Sequence, residues 1–228
     1  KVLLYQDKFT EAATALDGVI SQNQYQLIDD YTELFSVANE GNSETVFDVE
    51  YSGAEGGSYG CLICLEGNAA PGFHGIRQYN GPEYGDGNSY NLPTEKLYNS
   101  FAAGDIRRDA SVLDIDVFIA AQPNSANITY AVGGGGHTGY YNNKYIKRQG
   151  EIGLPDNDLT SPVNYRVIRY ADVLLMAAEA HNRAMPANDA KAREYLKLVR
   201  DRVNMPEINS GGAQLTQDIW AERQYELS

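Results

Sequence analysis

Positive charge is scarce in this chain of 228 residues, where 18 Lys and Arg face 31 Asp and Glu for a net charge of −13. A phosphate backbone or an anionic lipid surface would be repelled, which excludes nucleic acid as a partner. Long apolar runs are missing too, and no stretch approaches the ~18 residues a membrane-spanning helix requires. Cysteine occurs only twice, but a chain of this length can bury ~70% of its unfolded surface without disulfide help. Histidine occurs three times, and His74, His137 and His181 fall in no H-E-x-x-H or triad-like context. With no G-x-S-x-G either, the sequence carries no enzyme signature. No catalytic residue is expected, and no cofactor is called for. Tryptophan appears once against 6 Phe and 17 Tyr, so most rings bear a hydroxyl that suits a half-wet surface better than a dry core.

What is present is helical at both ends. Lys1 to Tyr5 reads as the last turn of a helix, and Gln6-Asp7-Lys8 is a tight connection into an amphipathic helix over residues 9–20. Thr10 and Glu11 stand where an N-cap and a first-turn acid belong. Near the other end, Arg169 to Ala184 is apolar and Ala-rich, and Met185-Pro186-Ala187-Asn188 breaks it. Asp189 is placed to cap the next helix, whose stripe is Ala192, Tyr195, Leu196, Val199 and Val203, with Lys191, Arg193, Lys197, Arg200 and Arg202 facing away. From Tyr170 to Met205 the unit approaches the ~34-residue period of tetratricopeptide helix pairs. A last helix starts at Leu215 with Thr216 as its cap and runs to Leu227 without a C-cap signal, so the chain reads as an internal piece of a longer protein.

Between the helical ends the period drops to two. Phe47, Val49 and Tyr51 alternate with Asp48 and Glu50 as in a half-buried strand, and a second extended stretch covers residues 112–119. A short helix over residues 94–103 lies between Pro93 and Gly104, and residues 140–147 are a possible third strand. The expected organisation is a helical hairpin and short helix (1–38), a loop-rich ligand region (39–165), and a helical hairpin with the start of a further helix (166–228).

Several motifs have a functional and a plainer reading. Cys61 and Cys64 form C-x-x-C, but zinc needs two more ligands and redox chemistry needs a helix N-terminus, which leaves a structural role as buried thiols or a local disulfide. Gly133 to Gly136 lacks the G-K-[ST] of a phosphate loop, and the Asp156-Asn157-Asp158 start of a calcium loop lacks its later glycine and glutamate. The pairs Asp48/Glu50 and Asp114/Asp116 could serve glycoside hydrolysis, though a solvated strand face explains them more simply. Arg107, Arg108 and Asp109 follow Gly104, and an ion pair of Asp105 or Asp109 with an arginine is expected to fix the chain there.

Four blocks in order carry a resemblance. They are Gln6-Asp7-Lys8-Phe9-Thr10-Glu11-Ala12-Ala13; Leu92-Pro93-Thr94-Glu95-Lys96-Leu97 with residues 101–109; residues 165–180, from Tyr165-Arg166-Val167 to Ala178-Glu179-Ala180; and Tyr195-Leu196 through Pro206 to Glu226-Leu227. Together the chain resembles the SusD/RagB family of outer-membrane lipoproteins, across most of its length and most weakly in the Gly-rich loop. The resemblance implies a mainly α fold of tetratricopeptide-like α/α hairpins with loop-rich segments and a few short β-strands. It also implies a surface-exposed outer-membrane protein, lipid-anchored outside this fragment, that captures an oligosaccharide or other nutrient for a SusC-like TonB-dependent transporter without catalysis. The alternatives are a tetratricopeptide-type protein-interaction module and part of a glycoside hydrolase.

The ligand-binding candidates lie in the stretch 53–91, which holds 10 of the 22 glycines. There Phe73, His74, Arg77, Tyr79, Asn80, Tyr84 and Tyr90 alternate rings with hydrogen-bonding groups. Sugars present apolar C–H faces rimmed by hydroxyls, so flat rings with Asn or Arg at the rim suit them. The plainer alternative is that these tyrosines pin the loop onto the helices.

Overall fold

The computed structural model describes residues 1–53, 58–60, 67–132, 137–151 and 159–228. Cys61 and Cys64, the glycines 133–136 and the motif at 156–158 lie outside the described residues. The chain divides into a helical unit, Lys1–Leu34, Gly41–Asp48 and Arg166–Ser228, and a loop-rich unit, Phe35–Glu40 and Val49–Tyr165.

In the helical unit α1 (Val2–Tyr5) turns through Asp7, at φ 55°, into α2 (Phe9–Ile20). Strand β1 (Thr45–Val49) pairs with β6 (Tyr165–Arg169), and α7 (Tyr170–Arg183), α8 (Asp189–Arg202) and α9 (Gly212–Leu227) follow. Helix α7 is the centre and packs against α2, α8 and α9. Its alanines Ala171, Ala177, Ala178 and Ala180 are fully buried, and their small side chains let the neighbouring helices approach. Leu174, Leu175, Leu196, Leu215 and Ile219 fill the space between, each worth ~1.5–3 kcal/mol on burial. Asp17 on α2 pins three helices together, accepting from the Tyr195 hydroxyl at 2.7 Å and lying 3.0 Å from His181 Nε2.

The helix ends are held differently from the sequence expectation. Lys8 rather than Thr10 occupies the N-cap of α2, with Glu11 in the first turn. Asn188 caps α8 by accepting from Lys191 N, because Asp189 is already engaged. The Asp189 carboxylate accepts from Asn182 Nδ2 at 2.8 Å and from Gly212 N at 2.7 Å, and these two bonds hold its pKa below the usual range. Gly211 caps α9, and Thr216 sits inside that helix with its hydroxyl donated to Asn182. Gly212 has φ +57°, a conformation that favours glycine.

Two of the cations assigned to the outer face of α8 turn inward. Arg200 pairs with the buried Glu222, and Arg202 joins Arg169, Glu44 and Glu226 in a buried four-charge network. Arg169 Nη1 reaches Glu44 Oε1 at 2.6 Å and Glu226 Oε1 at 2.8 Å, and Arg202 Nη1 reaches Glu44 Oε2 at 2.7 Å. Burial alone would lower the Arg169 pKa, but Glu226 and Glu44 more than offset it and hold the guanidinium charged. The phase of β1 is the reverse of the expected one: Val46 packs on the helical core, while Phe47 and Val49 are exposed.

The loop-rich unit holds α3 (Ala70–His74), β2 (Ile76–Arg77), β3 (Asp86–Gly87), α4 (Glu95–Tyr98), α5 (Arg107–Ser111), β4 (Val112–Asp114), α6 (Ile115–Ala120) and β5 (Tyr140–Asn142). The helix expected over 94–103 stops at Tyr98, capped by Thr94, whose hydroxyl oxygen accepts from Leu97 N. The stretch 112–119 is strand only to Asp114, whose carboxylate accepts from Val117 N and starts α6. Asp114 and Asp116 are therefore a cap and a first-turn acid, not neighbours on a strand face. Strand β4 pairs antiparallel with β5, placing Leu113 beside Tyr141 and Asp114 beside Tyr140. The expected ion pair is present and buried, with Arg107 Nε and Nη2 gripping Asp105 at 2.9 and 2.7 Å.

Candidate functional site

The seven sequence-selected residues occupy one folded segment of the loop-rich unit. Strands β2 and β3 pair in parallel, with Ile76 beside Asp86 and Arg77 beside Gly87. The approach is so close that a Cβ on Gly87 would lie 2.4 Å from Gly75 Cα, which only glycine permits. Cross-loop bonds then close the segment: Asn88 N donates to Gly72 O at 3.0 Å, Ser89 N to Gly75 O at 2.8 Å and Tyr90 N to Phe73 O at 2.8 Å.

That closure lays Tyr90 on Phe73, ring centroids 6.0 Å apart at 22°. Tyr90 is 57% exposed and Phe73 partly so, which makes this stack an accessible apolar surface. Arg77 is half-buried, its N–H donated to Ser89 Oγ, and Asn80 is exposed while its backbone bridges to Thr129. His74 is partly buried with Nδ1 lacking a hydrogen-bond partner, and burial pushes its pKa below the ordinary value, which keeps the ring neutral.

Tyr79 and Tyr84 belong elsewhere. At 6% and 3% exposure they sit in a core with Ile76, Leu113, Ile115, Tyr141 and Ile146. Their rings meet edge to face at 6.2 Å, and Tyr84 meets Phe118 the same way at 5.0 Å. The Tyr79 hydroxyl donates to Pro82 O at 2.8 Å. Burial first, and the neighbouring Glu83 second, raise both phenol pKa values.

A second ring pair has no counterpart in the sequence reading. Tyr98 of α4 stacks on Tyr140 of β5 at 4.6 Å and 26°, with the Arg108 guanidinium 4.9 Å from the Tyr98 ring centre. The two tyrosines are far apart in sequence, and the signal that would join them is the β4–β5 pairing, which local periodicity does not reveal. Elsewhere in this unit the Tyr130 hydroxyl donates to Asp116 at 2.9 Å, and burial with that bond raises its pKa to about 12. Among the described residues no group of three or more His, Cys, Asp or Glu could hold a metal ion.

The arrangement is thus a helical unit and a loop-rich unit carrying paired rings, and the SusD family model matches residues 23–228 of it. This chain belongs to the SusD family. Among its relatives, SusD-like protein P2 of Formosa agariphila is 31% identical over 221 residues, covering 90% of this chain and 40% of that protein. Among solved structures, a laminarin binding SusD-like protein is 33% identical with a TM-score of 0.87, covering 100% of this chain and 50% of the other. Surface glycan-binding protein A from Bacteroides thetaiotaomicron, solved in complex with laminarihexaose, is 27% identical with a TM-score of 0.83, covering 99% of this chain and 49% of that one. The SusD-family chain described here therefore spans about half the length of the solved relatives it matches.

Proposed function

We propose that this SusD-family chain forms part of a non-catalytic protein that captures a neutral glycan at the cell surface, a laminarin-like β-glucan first among candidates. The observation that carries the reading is the exposed Phe73–Tyr90 stack, held in place by backbone bonds on the loop-rich unit of a chain similar to laminarin-binding proteins. Phe73 and Tyr90 supply the flat apolar surface and Arg77 and Asn80 the rim donors, while Tyr79 and Tyr84 support the segment from its core. One ring face covering on the order of 50 Å² contributes ~1.2 kcal/mol at ~25 cal/mol per Å². A few such contacts give weak affinity, which suits a surface that must release its cargo. The release step is delivery to a SusC-like TonB-dependent transporter in the outer membrane, where a lipid anchor outside these residues holds the parent protein.

Calorimetry against laminarihexaose and a panel of neutral and anionic oligosaccharides tests this. Saturable binding to a neutral glycan with no new reducing ends is the expected result. Binding to none of the panel, or release of reducing ends that Asp114→Asn or Asp116→Asn abolishes, would overturn it.

A further inference from the structure

The helical unit contains a cavity of about 370 Å³ between α1, α7 and α9, lined among others by Tyr5, Met176, Glu179, Arg183, Trp220 and Arg223. This volume is at the small end of ligand pockets and suits a mono- or disaccharide-sized group. Met176 is buried beneath it, whereas the only tryptophan of the sequence is 44% exposed in its wall and Tyr5 is 85% exposed.

The charges around this cavity select against an ionic ligand. Arg183 Nη1 pairs with Glu179 Oε1 at 2.7 Å, and Arg183 Nη2 lies 3.5 Å from Asp7 Oδ1. Arg223 and Lys1 share Asp172, which lies behind the lining, at 2.8 and 3.1 Å. Three side-chain cations are thus matched by three carboxylates, and an ionic ligand would have to break a pair in order to form one. A neutral polyhydroxyl ligand needs no such exchange, since paired carboxylates keep lone pairs and guanidiniums keep N–H groups free for hydroxyls. The Arg183 guanidinium is also fixed in position, 4.1 Å from the Phe9 ring centre and 5.7 Å from that of Trp220. An exposed indole beside pre-positioned, charge-balanced donors and acceptors matches a sugar ring, with its apolar face on the indole and its hydroxyls on Glu179 and Arg183.

We propose that this cavity is a second glycan-contact site that takes a neutral pyranose against Trp220, apart from the ring pairs of the loop-rich unit. The proposal rests on the glycan-capture reading. Trp220 stands in the cavity wall, so the part of the emission that Trp220→Phe removes reports on this site. Laminarihexaose is titrated into the chain while Trp emission and acrylamide quenching are followed, with calorimetry on the same samples. The expected result is a saturable emission change with protection from quencher, retained in Tyr90→Ala. Tyr5→Ala, at a residue too exposed to support the fold, should weaken that signal about fivefold, the scale of one lost neutral contact. Calorimetric binding with no emission change, or an emission change that vanishes in Tyr90→Ala, would overturn the second site and leave the capture reading standing. Neither heat nor emission change with any glycan of the panel would overturn both.

Discussion

In the helical unit the backbone satisfies itself and the most consequential buried polar groups are charges, whereas in the loop-rich unit strands of two or three residues lean on side chains and cross-loop bonds. Helices α7 and α8 run 14 residues each, so their inner faces hold most of the helical core, and Arg169, Arg202, Glu44 and Glu226 join β6, α8, α9 and the residue before β1. The loop-rich core contains few long helical faces, and tyrosines such as Tyr79, Tyr84 and Tyr141 fill it with hydroxyls turned toward backbone, amide or imidazole partners. The contrast assigns different work to the two units. Loss of any one member of the four-charge network leaves a buried partner short of a counter-charge, while a loop closed by main-chain bonds leaves exposed rings such as Tyr90 free to vary with ligand.

The largest effect expected from this contrast is in the helical unit. Glu226→Ala should cost ~3–5 kcal/mol in urea denaturation, because Arg169 and Arg202 would each keep a buried charge with one partner fewer. A loss below ~1 kcal/mol would mean that water enters and the network is not buried in solution. Leu196→Ala, at 1% exposure between α7 and α8, should cost ~2–5 kcal/mol through the cavity it leaves. If it costs less than ~1 kcal/mol, the stripe of α8 does not carry the packing assigned to it.

The same contrast explains what could be read in advance. The bounds of α2, α7 and α8 followed from period and breakers, since a helix records its own partner face every three or four residues. Arg200 and Arg202 were misplaced because the period marks them as polar, and a cation that turns inward to Glu222, Glu44 or Glu226 carries no local mark. Phe47 and Val49 illustrate the same limit, since the alternation is visible but which face is buried depends on the core that Val46 meets. In the loop-rich unit, composition pointed to the segment with Tyr90 but could not separate Tyr90 from Tyr79 and Tyr84. Their burial is set by Leu113, Ile115 and Tyr141, which come from distant parts of the chain. The Tyr98–Tyr140 pair was invisible for the same reason.

A smaller effect, confined to the loop-rich unit, depends on pH. Burial lowers the His74 pKa from its ordinary 6.5, although a backbone bond at Tyr145 acts the other way. The unfolded chain then takes up the proton first as pH falls, so the contribution is complete above about 6.5 and is lost below it. Asp30 and Asp189, held below 3.8, add a separate loss only at stronger acidity. Denaturation midpoints should therefore drop between pH 7.5 and 5.5 in the wild type and drop less in His74→Gln. Equal drops in both proteins would assign the dependence to another group.

The smallest stability effect should come with the clearest binding effect, and it divides the loop segment itself. Tyr90 is exposed, and its stack on Phe73 is held by a main-chain bond, so Tyr90→Ala should change stability by no more than ~0.5 kcal/mol. Its affinity for laminarihexaose should nonetheless fall about five- to tenfold, since removing one ring face forfeits ~1.2 kcal/mol of contact. Tyr84→Phe reverses the pattern. It strips a buried hydroxyl from its long contact with Asn143 Oδ1 at 3.4 Å and leaves the ring packed, so ~0.5–1.5 kcal/mol of stability is lost while affinity stays within twofold. Calorimetry beside denaturation on both variants separates a ring that holds the loop from a ring that holds the sugar. A folded Tyr90→Ala with unchanged affinity would move the glycan to another surface, the Tyr98–Tyr140 pair being the next to substitute, whereas a Tyr84→Phe that lost affinity at full stability would place that hydroxyl at the ligand.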